Sequence, residues 1–240
     1  MKPDFKFCYF DVLSSTNDKA REFAKEGNYN LVVVAEKQEK GRGRFGREWS
    51  SQAGGLYMTL VLREKNLDKI KYLTFIAAVS VAKAIRRIAN LDAKVKWPND
   101  VLIDGKKVCG ILTETISGKR NYALVGIGLN VNQKKFPKSI MRNSTSLAIE
   151  SNKTYDIKKI SKLIINEFNN LYPYYNKRNY GKIIDIWKKY SHTLGKTVRA
   201  KTLSGNYTGK AVDVDEECNL ILRLNDGSIK KIIEGDIFII

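Results

Sequence analysis

The chain has 240 residues, 43% of them hydrophobic, and a formal net charge of +18. That length can bury a sizeable core in one large domain plus a small one. The charge favours an acidic partner such as nucleic acid, a membrane surface or an acidic protein. The lysines are spread along the chain rather than gathered in a tail, which describes a solvated face. The three cysteines, Cys8, Cys109 and Cys218, have neither disulfide-framework nor zinc-ligand spacing. There is no N-terminal apolar signal and no run of about 18 apolar residues. A cytoplasmic setting without membrane insertion is therefore expected. His192 is the only histidine, so a His-based triad is not expected.

Residues 5–13 read as a strand, rich in aromatic and β-branched side chains. Ser14-Ser15-Thr16-Asn17-Asp18 follows and opens a helical pattern through Ala20, Phe23 and Ala24, with Ser15 and Asp18 as the expected cap. Hydroxyl and amide groups at a helix start either cap it or receive a polar ligand. Leu31–Ala35 is an apolar strand. It runs into Gln38-Glu-Lys-Gly41-Arg42-Gly43-Arg44-Phe45-Gly46-Arg47-Glu48-Trp49, where glycines alternate with arginines. Glycine lets backbone approach a ligand, and arginine offers fixed charge in a fork suited to phosphate and carboxylate. Gly41-x-Gly43-x-x-Gly46 matches a dinucleotide fingerprint literally, but no helix opens at its last glycine, as that site requires. No Gly-Lys-Ser/Thr follows either, which excludes a phosphate loop of that kind. What remains is a solvated Arg/Gly loop or a specific anion-binding loop.

Leu56–Leu62 is the next strand and residues 72–91 the clearest helix, with small or apolar residues on most faces. Lys94–Trp97 is a short strand that ends at Pro98. Val101–Ile103 and Lys107–Glu114 flank the hairpin signal Asp104-Gly105. Tyr122–Asn132 is an apolar strand in which Gly126 and Gly128 suggest close approach of backbone or ligand. Residues 133–146 read as a mobile polar loop. Ile157–Tyr175 and Lys182–Tyr190 read as amphipathic helices. After Gly195, four or five short strands in about 45 residues suggest a small barrel.

Gly41–Trp49, Lys96-Trp97-Pro98-Asn99-Asp100, Gly105–Leu112 and Gly126–Asn132, with Ser15-Thr16-Asn17 ahead of them, resemble the biotin–protein ligases in order and spacing. The resemblance implies a mixed α/β (α+β) fold. A sheet backed by helices would form a class II aminoacyl-tRNA-synthetase-like catalytic domain over 1–192, and a small SH3-like β-barrel would occupy 193–240. It implies activation of biotin by Mg2+-ATP to biotinyl-5′-AMP, then transfer to a lysine of an acidic biotin carboxyl carrier domain. Lys107 and Arg44 would be catalytic. Ser15, Thr16, Asn17, Gln38, Arg42, Gly43, Arg44, Lys107, Gly110 and Gly128 would bind biotin. Arg42, Arg44, Arg47, Trp49, Asn99 and Asn130 would bind ATP, and Asp100 the metal. Trp49 would either stack on adenine or pack the loop.

Only about 13 residues precede Ser14, so the DNA-binding module of some members is not expected, nor is specific DNA binding. A homodimer is left open. Glu39 and Lys40 are more charged than the family pattern, and the loop over 133–146 offers no clear aromatic cap. Two alternatives stand beside this reading: a lipoate or octanoate ligase or transferase of related fold, and a basic nucleic-acid-binding protein.

Overall fold

In the computed structural model, which describes residues 2–240, the apolar runs form a seven-stranded sheet. Strands β1 (Lys6–Leu13) and β2 (Leu31–Gln38) are parallel and joined by helix α1 (Thr16–Lys25). Strands β3 (Leu56–Glu64), β4 (Ala93–Lys96), β5 (Asp100–Ile103), β6 (Lys106–Ile116) and β7 (Asn121–Leu129) complete it, all in antiparallel pairs, in the order β1-β2-β3-β7-β6-β5-β4. Helix α2 (Lys71–Ala89) joins β3 to β4, and α3 (Leu147–Ser151), α4 (Ile157–Asn176) and α5 (Tyr180–Tyr190) follow β7.

Alternation along the strands divides the sheet into two faces. Val32, Val34, Leu60, Leu62, Val125 and Ile127 belong to the main core with α2, α4 and Trp187 of α5. Val33, Val61 and Leu124, one residue out of step, pack instead against Ala20 and Ala24 of α1. Both faces of the middle strands are therefore covered, which is why β3 is buried without interruption over residues 56–62, Thr59 being its one polar member there. Short α1 covers only part of its face: its Asn17 sits against Gly126 of β7, and beyond it Gly128 of β7 and Gly110 of β6 line the cavity.

After α5 the chain forms a five-stranded antiparallel sheet of β8 (Thr197–Thr202), β9 (Gly205–Val214), β10 (Leu220–Leu224), β11 (Ile229–Ile232) and β12 (Asp236–Ile239). The order is β11-β10-β9-β8-β12. It docks on the larger unit through backbone carbonyls: Trp97 Nε1 donates to Cys218 O at 2.9 Å and Tyr72 Oη to Glu216 O.

Three local expectations differ from the structure. Ser15 stands at the N-cap position of α1, but its side chain makes no capping bond, and the Asp18 carboxylate is taken up by Arg42. The polar stretch 133–146 is irregular, but its end is stitched to β6, with Lys107 N donating to Asn143 O (2.8 Å) and Thr145 N to Lys107 O (2.9 Å). It then enters α3, capped by Ser146, a helix too short to show a periodic pattern.

Candidate functional site

The floor of the site is a gap in the sheet face. Gly110 and Gly128 are register partners, so two neighbouring positions lack side chains. The Trp49 indole rests there: a Cβ on Gly128 would lie 2.4 Å from Trp49 Nε1, and one on Gly110 3.1 Å from the same ring. The Arg/Gly loop delivers Trp49 as a small hairpin, with Trp49 N donating to Gly41 O (2.9 Å) and Gly43 N to Arg47 O (2.7 Å). Its tip is a single 3₁₀ turn, Arg44–Gly46, with Phe45 and Gly46 at positive φ. Gly41 has a packing reason as well, since a Cβ there would meet Ser51 Oγ at 2.3 Å.

One end of the cavity is a chain of neutral hydrogen bonds. Gln38 Oε1 accepts from Thr16 N (2.7 Å) and Thr16 Oγ1 (3.0 Å). Gln38 Nε2 donates to Ser51 Oγ (2.8 Å), and Ser51 Oγ to Trp49 O (2.9 Å). Behind them Thr59, fully buried on β3, lies 2.9 Å from Thr16 Oγ1 and 2.6 Å from Asn17 Oδ1. Asn17 Nδ2 donates to Glu114 at 2.7 Å. Each member fixes the next, so this end is rigid before a ligand arrives.

The other end is charged. Lys107 Nζ lies 2.6 Å from Asp100 Oδ1 and 5.2 Å from the centre of the Trp49 ring. Arg42 reaches back beside the hydrogen-bonded end, where it forks onto Asp18, the residue after Asn17, at 2.7 and 2.6 Å and holds that carboxyl below its ordinary range. Arg47 forks onto Asp236 of β12, 3.1 Å on one limb, with the same effect on Asp236. Arg44 donates to Gly235 O (3.2 Å) and stacks on Phe45, and burial lowers its pKa.

The sequence matches the biotin/lipoate A/B protein ligase family over residues 9–132 and the biotin protein ligase C-terminal domain over residues 193–239. It is 40% identical over 236 residues, 95% of this chain and 72% of the relative, to the bifunctional ligase/repressor BirA of Bacillus subtilis. The chain belongs to the biotin protein ligase family. A biotin–[acetyl-CoA-carboxylase] ligase of Paracoccus denitrificans is 30% identical over 87% of this chain and 90% of that protein. The biotin protein ligase of Aquifex aeolicus, solved in complex with biotin and ATP, superposes with a TM-score of 0.87 at 30% identity, covering 98% of both chains.

This biotin protein ligase chain brings every residue singled out from its sequence to one cavity of about 230 Å³: Ser15, Thr16, Asn17, Gln38, Arg42, Gly43, Arg44, Arg47, Trp49, Asn99, Asp100, Lys107, Gly110, Gly128 and Asn130 all line it. His192 does not. Asn99 and Asn130 also hold backbone, donating to Ile111 O (2.6 Å) and Thr145 O (2.9 Å). From the 133–146 loop, Phe136 and Ile140 also line the cavity. Asp236 also lines it, from almost the end of the chain. Neither had a local signal, because one aromatic in a polar loop and one carboxylate before an edge strand look ordinary until the fold assembles them.

Magnesium prefers one or two carboxylates plus substrate phosphates to an all-protein cage. The described residues contain no cluster of three or more potential metal ligands. Asp100, largely buried and facing the cavity, is the kind of single carboxylate that fits a phosphate-held ion.

Proposed function

We propose that this cavity carries out both half-reactions of biotin–protein ligation. ATP activates the biotin carboxylate to biotinyl-5′-AMP, and a lysine of a carrier domain then takes the acyl group. The observation that carries the assignment of roles is the division of the cavity. A neutral hydrogen-bonded end and a cationic end are joined over a floor of paired glycines by Trp49.

In this reading Ser15, Thr16, Asn17 and Gln38 receive the polar head of biotin, and the glycine floor with Trp49 accommodates its apolar chain. The carboxylate then reaches Lys107, where it meets the α-phosphate. Two anions must approach each other, and cations fixed in place beforehand are usually the largest single contribution to lowering such a barrier. Lys107 bridges carboxylate and α-phosphate. Arg42 and Arg44 serve the carboxylate and phosphate side and Arg47 the nucleotide, while Asn99 and Asn130 shape the nucleotide end. Asp100 would hold Mg2+, which when bound neutralises part of the triphosphate charge. The ligand must exchange with the carboxylates now on Lys107, Arg42 and Arg47. Phe136 and Ile140 shield the mixed anhydride from water.

In this reading residues 1–192 form the catalytic domain and 193–240 the C-terminal domain, whose Asp236 and Gly235 accept from Arg47 and Arg44 of the loop. The +18 charge supports an acidic carrier domain as acceptor. Incubation with biotin, Mg-ATP and a carrier domain is expected to add one biotin mass to the carrier. Equal or faster modification with lipoate would redirect the assignment.

A further inference from the structure

The hydrogen-bonded end of the cavity has a direction, and its starting point lies behind the cavity wall. Side chains alternate along β6, so Gly110, Leu112, Glu114 and Ile116 share one face. Gly110 and Leu112 line the cavity, and Ile116 packs against the α1 cluster. Glu114 stands between them, outside the cavity lining. Its Oε2 accepts from Asn17 Nδ2 at 2.7 Å. Arg21, one turn further along α1, lies 3.3 Å from the same oxygen. Asn17 is 5% exposed, and its amide is wedged against Gly126, where a Cβ would lie 2.4 Å from Oδ1. A buried amide in so tight a place has two orientations of nearly the same shape, and its partners choose between them.

Glu114 makes that choice. A carboxylate only accepts, so Asn17 turns Nδ2 toward it and Oδ1 toward Thr59. Thr59 has one hydroxyl proton and two neighbours, Asn17 Oδ1 at 2.6 Å and Thr16 Oγ1 at 2.9 Å. An amide oxygen has no proton to give in return, so the Thr59 proton goes to Asn17. Thr16 has its own proton and donates it to Gln38 Oε1 (3.0 Å), which also accepts from Thr16 N. Were the Asn17 amide turned over, Nδ2 would face Thr59, and Thr59 would pass its proton to Thr16 instead. One carboxylate therefore sets the donor and acceptor order of the whole row.

We propose that Glu114 is a positioning residue that sets the specificity of the neutral end: it holds the Asn17 amide with its nitrogen free for a ligand and its oxygen turned away. The inference rests on the ligase reading. Asn17 then offers the ligand its second Nδ2 hydrogen, and Thr16, its proton spent on Gln38, offers a lone pair. A cyclic urea presents the opposite groups, a carbonyl that accepts and N–H groups that donate. A ligand with a donor in place of that carbonyl would meet Asn17 donor to donor. Glu114 touches neither substrate nor reacting atoms and acts through Asn17 alone.

The test compares biotin with 2-iminobiotin, in which a protonated imine, a donor, replaces the carbonyl. Binding of each is measured by titration calorimetry on the full chain and on Glu114→Met and Glu114→Gln. Methionine fills the space without an acceptor and frees the amide to turn over. The Kd for biotin is expected to rise about tenfold, as for one lost buried hydrogen bond. That for 2-iminobiotin should not rise, so the preference for biotin narrows about tenfold. Adenylate formation at saturating biotin and the KM for ATP stay at wild-type values. Glutamine keeps a carbonyl oxygen for Asn17 Nδ2 and recovers most of the loss. Should the methionine variant not fold, Glu114→Ala is read by the same criteria. An equal loss for both ligands overturns the inference and leaves Glu114 a structural support. A glutamine variant as weak as the methionine one also overturns it, since charge rather than direction would then be at work. A wild-type chain that does not bind biotin sinks the ligase reading itself, whereas a methionine variant that binds biotin as tightly as the wild type removes only the role of Glu114.

Discussion

The two ends of the cavity solve the problem of an empty site differently. At the hydrogen-bonded end, Thr16, Asn17, Gln38, Ser51 and Thr59 satisfy one another, and neutral donors and acceptors can do this without loss of shape. The cations differ: Arg42, Arg47 and Lys107 each borrow a carboxylate of the chain, and Arg44 has none within 4.0 Å among the described residues. Neutral partners can remain when a ligand binds alongside them, but a borrowed carboxylate has to be displaced or shared. The first end is therefore a template and the second a set of held charges, released to an anion of higher charge.

Substitutions should separate the two ends, beginning with the largest effect. Lys107→Ala removes the cation at the junction, and adenylate formation should drop by about 10²- to 10³-fold with the melting temperature little changed. Wild-type turnover in the folded variant would show that the junction lies elsewhere. Gly128→Ala puts a methyl group where Trp49 sits, 2.4 Å from its Nε1. Overpacking of about 1–3 kcal/mol is expected, lowering adenylate formation roughly 10- to 100-fold. Gly110→Ala, with a 3.1 Å approach, should do less. If the two alanines are equivalent, Trp49 is not held by the floor.

Thr59→Val keeps shape and removes the hydroxyl behind Thr16 and Asn17. Biotin affinity should weaken about tenfold, as for a lost buried hydrogen bond of ~1–1.5 kcal/mol, with the KM for ATP unmoved. A matching rise in the ATP constant would mean that the ends are not independent. Asp236→Asn should have the smallest effect, since its partner Arg47 is mostly exposed and such pairs contribute only about 0–1 kcal/mol. Freed from it, Arg47 should bind ATP about two- to threefold more tightly. A weaker KM would make Asp236 a support for Arg47 rather than a placeholder.

The charged loop and the paired strands were legible because their information is local. Gly41–Trp49 and Lys96–Asp100 carry charge, turn chemistry and strand breaks within a few residues. The long apolar runs announced β2, β3 and α2 for the same reason. What the sequence hid depends on assembly. Thr59 reads as one more residue of a buried strand, and its hydroxyl matters only because α1 begins above it. Asp18 looks like a helix cap until Arg42 arrives from the loop. Asp236 and Phe136 are brought in from beyond the main motifs by the docking of β12 and by the stitching of the 133–146 loop to Lys107. The glycine floor lies between these cases: Gly110 and Gly128 were visible individually, but their register pairing is a property of the sheet.

The most direct test of the divided cavity is ATP–pyrophosphate exchange measured with and without biotin. Exchange that depends on biotin, and is lost in Lys107→Ala, is the predicted result. Exchange that proceeds without biotin, or that lipoate supports and biotin does not, would contradict the assignment of the neutral end to the biotin head and of the charged end to its activation.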